Sequence, residues 1–312
     1  MALKGAIELD VFTHIASGLT TPTEIARACE ATEKGVRVLC DYLTVHGFLS
    51  KANGAYAVAP DVAPLLDGRS PAYMGSVAGF FTHPVMVAKY DDVAALVRRG
   101  GAVDHTLAPN DPIWVEFARR MAPMFAIPAR LTAEIVTSPG EPARVLDVAA
   151  GHGFWGIAVA LHNPAATITF QDWDNVLDVA RENALARGLD GRFQTIAGSA
   201  FDVDLGSGYD LVLLPNFLHH FDRATNVTLL RKVYAALRPD RGRAAIVEFV
   251  PNEDRVSPPD GALFAMRMLG TTPNGDAYTL GEFNSMLRDA GFRDGQPHSL
   301  APSPLTLIVA AR

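Results

Sequence analysis

Hydrophobic spacing divides the chain into two textures. Residues 3–17 place Leu3, Ile7, Val11 and Ile15 four apart, a single helical stripe. Thr21-Pro22-Thr23-Glu24 then supplies a capping residue, an early proline and an acid, the signature of a helix start. After a break around Ala31-Thr32, a second helix runs to Val45 and stops at Gly47. Residues 48–60 read as a small hairpin turning at Asn53-Gly54. Helix, turn, helix and hairpin together predict a winged-helix arrangement. Residues 71–137 continue as helix, rich in Phe80, Phe81, Met86, Trp114, Phe117, Met121, Met124 and Phe125. Core packing explains most of these side chains, and a subset is suited to lining an apolar pocket.

Pro139-Gly140-Glu141-Pro142 punctuates the end of that helical stretch. From Arg144 strands and helices alternate. Strands are predicted at 144–149, 167–172, 192–197, 209–215 and 243–250, with a last one near 304–310. Helices between them include 174–187, 223–237 and 279–290. Such alternation means an α/β fold, a parallel sheet covered on both faces. The expected domains are therefore 1–100, winged-helix-like; 101–140, a helical connector contributing to a substrate pocket; and 141–312, the α/β unit.

Composition narrows the classes. At 312 residues, 49% hydrophobic and 20% charged, the chain is neither disordered, collagen-like nor a disulfide scaffold. Two cysteines, Cys29 and Cys40, give no disulfide framework or metal cluster, so a reducing cytoplasm is expected. Glu8 and Asp10 interrupt any apolar leader near the N-terminus. Residues 70–88 lack charged side chains, but their prolines and glycines predict a pair of short buried helices, not a membrane span. The net charge of −7 argues against nucleic acid or an anionic membrane as partner. Nearly all of it lies beyond residue 100. In the second helix Glu33, Lys34, Arg37 and Asp41 cancel, while Val36, Val38, Leu39, Leu43 and Val45 make it largely apolar. That helix lacks the charge of a DNA reader and predicts a module that buries its face against another subunit.

Candidate chemistry begins at residues 145–156, VLDVAAGHGFWG, where Gly151, Gly153 and Gly156 follow the first strand and Asp172 ends the second. Dinucleotide and adenosylmethionine sites both use glycines for close backbone approach and an acid for ribose hydroxyls. Asp147 separates the two. Its carboxylate would repel a pyrophosphate but suits the ammonium of a methionine tail.

These residues bring in a resemblance to the class I S-adenosylmethionine-dependent methyltransferases. More narrowly, the chain resembles small-molecule O-methyltransferases with an N-terminal winged-helix dimerisation domain, including plant caffeate and hydroxyindole types and bacterial secondary-metabolism enzymes. The carriers are residues 3–12 (LKGAIELDVF), 145–153 (VLDVAAGHG), 170–180 (FQDWDNVLDVA), 198–221 (GSAFDVDLGSGYDLVLLPNFLHHF), 246–251 (IVEFVP) and 278–292 (YTLGEFNSMLRDAGF). The resemblance implies a Rossmann-like seven-stranded sheet with its last strand antiparallel, and a homodimer built through the front domain. It matches Asp147, Gly151 and Gly153 to the loop around the methionine tail, Asp172 to the ribose, and Trp173, Ser199, Ala200 and Phe201 to the adenine. His219 matches the general base and Glu248 the carboxylate that orients it. His219 lies just past the fourth predicted strand and Glu248 near the end of the fifth, and the carboxyl ends of such neighbours share one crevice. A histidine titrates near neutrality, which suits removal of a hydroxyl proton.

Three positions depart from the family. Ser199 stands where Asp is usual, Ala277 where a second carboxylate is common, and His220 where plant members have Asp. His220, Phe264 and Met268 are candidates for substrate contact, with Met266 and Leu269 beside them. A metal on His219-His220 is not expected, because adjacent residues on a turn rarely aim at one ion. The expectation is a cytoplasmic homodimer that transfers a methyl group to a hydroxyl of a small aromatic or polyketide-like molecule. The alternatives are a non-methylating reaction on this fold (decarboxylation, hydroxylation or cyclisation) and a winged-helix regulator.

Overall fold

The computed structural model describes residues 1–103, 110–141 and 143–312. Residues 104–109 of the expected connector and Pro142 of its closing punctuation lie outside the described residues. The chain separates into two compact units, Met1–Ala88 and Lys89–Arg312.

The first unit opens with two helices, α1 (Ala2–Glu8) and α2 (Val11–Ala16), where the stripe predicts one. Asp10 interrupts it with a left-handed φ of 54°. Aspartate tolerates this conformation because its short side chain bonds locally, and here Oδ1 accepts from the Thr13 hydroxyl at 2.6 Å. α3 (Pro22–Ala28) starts with a capping box between Thr21 and Glu24, and α4 (Glu33–Val45) is capped by Thr32. β1 (Leu49–Ala52) and β2 (Ala55–Val58) form the antiparallel hairpin. Asn53 and Gly54 both have positive φ, as a two-residue turn of matching twist requires. Three short helices follow: α5 (Ala63–Leu66), α6 (Gly75–Phe81) and α7 (Pro84–Ala88). The core gathers Phe12, Ile25, Leu43 and Tyr56.

Residues 70–88 correct one expectation. α6 buries Val77 and Phe80, but α7 buries nothing and leaves Val85 and Val87 exposed. Five residues make little more than one turn, too short to present a continuous buried face. No described helix is long and apolar enough to cross a membrane.

The second unit starts with α8 (Val93–Arg99) and the long α9 (Pro112–Val136). The sheet elements then alternate: β3 (Ala143–Val148), α10 (Phe154–His162), β4 (Ala166–Asp172), α11 (Asp174–Leu185), β5 (Phe193–Ala197) and β6 (Leu211–Pro215). After a 3-10 turn at Leu218–His220 come α12 (Arg223–Ala236), β7 (Arg243–Glu248), α13 (Pro259–Thr271), α14 (Leu280–Ala290), β8 (Gln296–Ser299) and β9 (Thr306–Ala311). The sheet order is β5-β4-β3-β6-β7-β9-β8, and β9 runs antiparallel to β7. The chain winds outward from β3 to β5, then returns to place β6 beside β3. That reversal puts the ligand crevice at the carboxyl ends of β3 and β6.

All six predicted strands match within two residues at each end. β8 is absent from the hydrophobic reading; the resemblance alone implied a seventh strand. Its sequence, Gln-Pro-His-Ser, is polar because it is an edge strand, where exposure and a proline are both tolerated. One face of the sheet packs on α12 and α14, with Leu146, Leu214 and Ile246 against Leu229, Val233 and Phe283.

α10 lies unusually close to the sheet at Gly156. A Cβ there would stand 2.6 Å from Ile168 and 2.9 Å from Phe170. Gly156→Ala therefore forces α10 outward at a cost of about 1–3 kcal/mol. The expected result is a lower urea midpoint with an unchanged m-value.

Candidate active site

Asp147 ends near the centre of the sheet, opposite Phe170 on β4 and Leu213 on β6. It is fully buried. Oδ2 accepts from the Gly156 N–H at 2.8 Å, and Oδ1 has no partner. Burial pushes its pKa up to about 8 against the opposing effect of the Gly156 bond, and the nearby Asp172 charge adds to the rise. Asp172 is recessed at the end of β4. Its oxygens accept from the Gly151 N–H at 2.7 Å and the Trp173 N–H at 2.7 Å. Desolvation raises its pKa to about 6, opposed by those two bonds.

Gly151 and Gly153 hold positive φ between these carboxylates. The orphaned Asp147 oxygen, the open glycine turn and the Asp172 acceptor fit a ligand that brings a cationic amine and a ribose diol. Trp173 caps α11, half-buried against Ala118, Val176 and Val179. Ser199, Ala200 and Phe201 follow β5. The Ser199 hydroxyl accepts from the Phe201 N–H at 3.2 Å, so it is partly committed to its own turn. Ala200 is buried, and Phe201 meets Phe221 edge-to-face at 4.9 Å.

Three residues missed in the sequence complete this region. Gln171 is buried and joins two loops: Oε1 accepts from Ala149 N–H at 3.3 Å, and Nε2 donates to Gly198 O at 2.6 Å. His152 accepts from the Phe154 N–H on Nδ1 at 3.0 Å, between the rings of Phe125 and Phe154. Burial holds its pKa down to about 3, so it stays neutral. Asn216 has left-handed φ just beyond β6, and its buried side-chain amide has no partner. The usable signal for Gln171 and Asn216 was a polar residue inside or ending an apolar strand.

His219 and Glu248 meet on the other side of the crevice. Nδ1 lies 2.6 Å from Glu248 Oε2, and the His219 N–H donates to Oε1 at 3.3 Å. Both side chains are nearly inaccessible, at 7% and 1%. Facing a carboxylate, Nδ1 carries the hydrogen, which leaves a lone pair on Nε2. The His219 ring meets Phe264 edge-on at 4.7 Å and lies 4.3 Å from His220, whose ring faces Trp114 at 6.1 Å. Phe264, Met268 and Ala277 form one buried apolar cluster with Phe249 against it. Met266 faces away and is exposed, because it lies two residues from Phe264 and Met268 on one helix. Among the described residues no group of three His, Cys, Asp or Glu side chains is arranged to hold a metal.

Comparison with known proteins identifies the family. The O-methyltransferase domain family matches residues 135–293, and the O-methyltransferase dimerisation domain family matches residues 1–63. A 3-hydroxy-5-methyl-1-naphthoate 3-O-methyltransferase of Streptomyces sahachiroi is 30% identical over 93% of this chain and 84% of its own length. A crystal structure from Nostoc punctiforme, itself classed only provisionally as an O-methyltransferase, superposes with TM-score 0.95. It is 48% identical over 100% of this chain and 94% of its own. The human N-acetylserotonin methyltransferase, crystallised with S-adenosylmethionine, shares the fold at TM-score 0.86 and 21% identity, over 100% of this chain and 93% of its own. The chain belongs to the S-adenosylmethionine-dependent O-methyltransferase family.

The raised acid pKa values have a consequence for stability without cofactor. Unfolded aspartates titrate near ~3.9, so between that pH and the folded values the native state holds more protons and stability falls as pH rises. The depressed His152 acts oppositely, adding stability as pH rises from about 3 to its ordinary value of 6.5. Above that only Asp147 remains, titrating at about 8. Melting of the cofactor-free protein should weaken from pH 6.5 to 8 by about 2 kcal/mol. Asp147→Asn should flatten that arm; an equal slope in the variant would overturn the assignment.

Proposed function

We propose that the protein transfers a methyl group from S-adenosylmethionine to a hydroxyl of a small aromatic or polyketide-like molecule, with His219 as general base and Glu248 as its orienter. The observation that carries this reading is the buried His219–Glu248 contact of 2.6 Å. A hydroxyl acceptor must lose its proton as the oxygen attacks. The Nε2 lone pair of His219 receives it, and Glu248 stabilises the imidazolium that results.

Asp147 and the loop at Gly151 and Gly153 would hold the methionine end of the cofactor, Asp172 the ribose, and Trp173, Ser199, Ala200 and Phe201 the adenine. When bound, the cofactor supplies an electrophilic methyl group on a sulfonium. Phe264, Met268 and His220 line the acceptor side, where aromatic rings and a flexible thioether favour a flat apolar molecule. The chain's naphthoate-methylating relative acts on a molecule of that kind. The protein works as a homodimer through its first unit, in keeping with the dimerisation family matched there. Its free cysteines suit the cytoplasm.

The test uses 3-hydroxy-1-naphthoate as probe acceptor alongside a panel of phenols. His219→Ala should lower kcat by about 10²–10⁴-fold with cofactor affinity unchanged by calorimetry. Glu248→Gln should lower it less. Turnover that survives His219→Ala, or that leaves S-adenosylmethionine unconsumed, would remove the base role or the methyl transfer respectively.

A further inference from the structure

His219 is held by Glu248 at its ring and its backbone N–H, and by a different segment at its backbone carbonyl. The Asp276 N–H donates to the His219 carbonyl at 3.1 Å. Gly275 comes so near that a Cβ would stand 2.2 Å from that same oxygen and 3.0 Å from the His220 carbonyl carbon. Gly275 and Asp276 are thus in direct contact with the backbone that carries the His219 ring.

Each end of this segment is tied. On the near side, the Thr272 hydroxyl accepts from the Gly275 N–H at 2.8 Å, and the Thr272 carbonyl accepts from the Ala102 N–H at 2.9 Å. On the far side stands one guanidinium. Arg255 donates to the Asp276 carboxylate at 3.3 Å, the Ala277 carbonyl at 3.4 Å and Glu282 at 2.5 Å. Glu282 in turn accepts from the Thr279 N–H at 2.8 Å and belongs to the cap of α14.

Arg255 sits in the loop that leaves β7, seven residues after Glu248. That loop is stiffened by its own bonds. Asn252 donates to Ser257 O at 2.7 Å, Arg255 donates to Asn252 O at 2.9 Å, and Asp254 accepts from the Val256 and Ser257 N–H groups. Arg255 itself is held at a left-handed φ of 56°, a conformation long side chains avoid unless their surroundings impose it. Two paths therefore run from β7 to His219. One passes through the Glu248 carboxylate to the ring and the His219 N–H; the other passes through Arg255 and Asp276 to the His219 carbonyl.

We propose that Arg255 is a positioning residue for His219, fixing the base through the 274–276 segment. This rests on the reading of His219 as the base. The ion pairs are substantially exposed, 44% for Arg255 and 43% for Asp276. Pairs of that kind add little to global stability. Their loss should appear at His219, not in the melting curve.

The acceptor-independent test is NMR of protein labelled with ¹³C-histidine, the His219 Cε1 resonance being assigned by its loss in His219→Ala. Arg255→Ala should shift or broaden that resonance and change its pH titration, while melting and S-adenosylmethionine binding stay as in the parent. Arg255→Lys should restore it in part, and Gly275→Ala should disturb it more. In methyl transfer to the hydroxynaphthoate probe, Arg255→Ala should lower kcat on the order of tenfold without raising KM for the cofactor. An unchanged His219 resonance in Arg255→Ala overturns the proposal, as does an equal rate loss when Arg255→Ala is added to His219→Ala. A displaced resonance combined with full turnover in His219→Ala would overturn the base reading and leave the positioning standing.

Discussion

Burial of carboxylates at the carboxyl ends of the strands is the constraint around which the second unit is arranged. Asp172 and Glu248 end β4 and β7, and Asp147 is the penultimate residue of β3. A carboxylate taken from water must recover its lost hydrogen bonds or shift toward its neutral form. The three do so to different extents. Glu248 directs both oxygens at His219, and Asp172 has both taken by backbone N–H groups. Asp147 has one oxygen satisfied and one bare. The shortage is concentrated at the position where a cationic ligand would relieve it. A sheet built only for stability would carry a branched apolar residue there, as Val145 and Val148 do on the same strand.

The glycine loop answers the same constraint. Gly156 lets α10 approach β4 closely enough for its N–H to reach Asp147, and a side chain there would break both contacts. His152 then caps the Phe154 N–H at the start of α10 while remaining neutral. Its burial between Phe125 and Phe154 keeps the loop's electrostatics in the hands of the two aspartates.

The strands of the second unit were legible because each buried strand is a continuous apolar run, and β6, Leu-Val-Leu-Leu-Pro, is buried throughout. Asp147 and Asp172 were legible as acids in or at the end of these strands. Where periodicity alone was read, it failed where a local bond competes with it. Asp10 splits a perfect four-residue stripe because its carboxylate finds Thr13. β8 escaped because an edge strand needs no hydrophobic pattern. Gln171 and Asn216 escaped for another reason. Their roles depend on loops brought together across sequence gaps of 22 and 27 residues for Gln171, and on an amide left unpaired for Asn216. Neither is visible until the chain is folded.

The apolar side of the crevice explains how His219 is held there. His219 sits edge-on to Phe264, which stacks on Phe249 at 4.2 Å, with Met268 and Ala277 completing the wall. Ala277 is buried and brings no proton acceptor to this wall. Rings pressed against an imidazole restrict its tilt but exert no directional pull comparable to a hydrogen bond. Direction along Nδ1 comes from Glu248. The height of the ring above the sheet must come from the backbone of a three-residue turn, the element least able to hold itself, since so short a helix has few internal bonds. A turn of that length needs external support, and Gly275 and Asp276 press and bond on the His219 carbonyl. Exclusion of a side chain at position 275 is thus the local condition for a fixed Nε2, in the same way that exclusion of one at position 156 is the condition for a bonded Asp147.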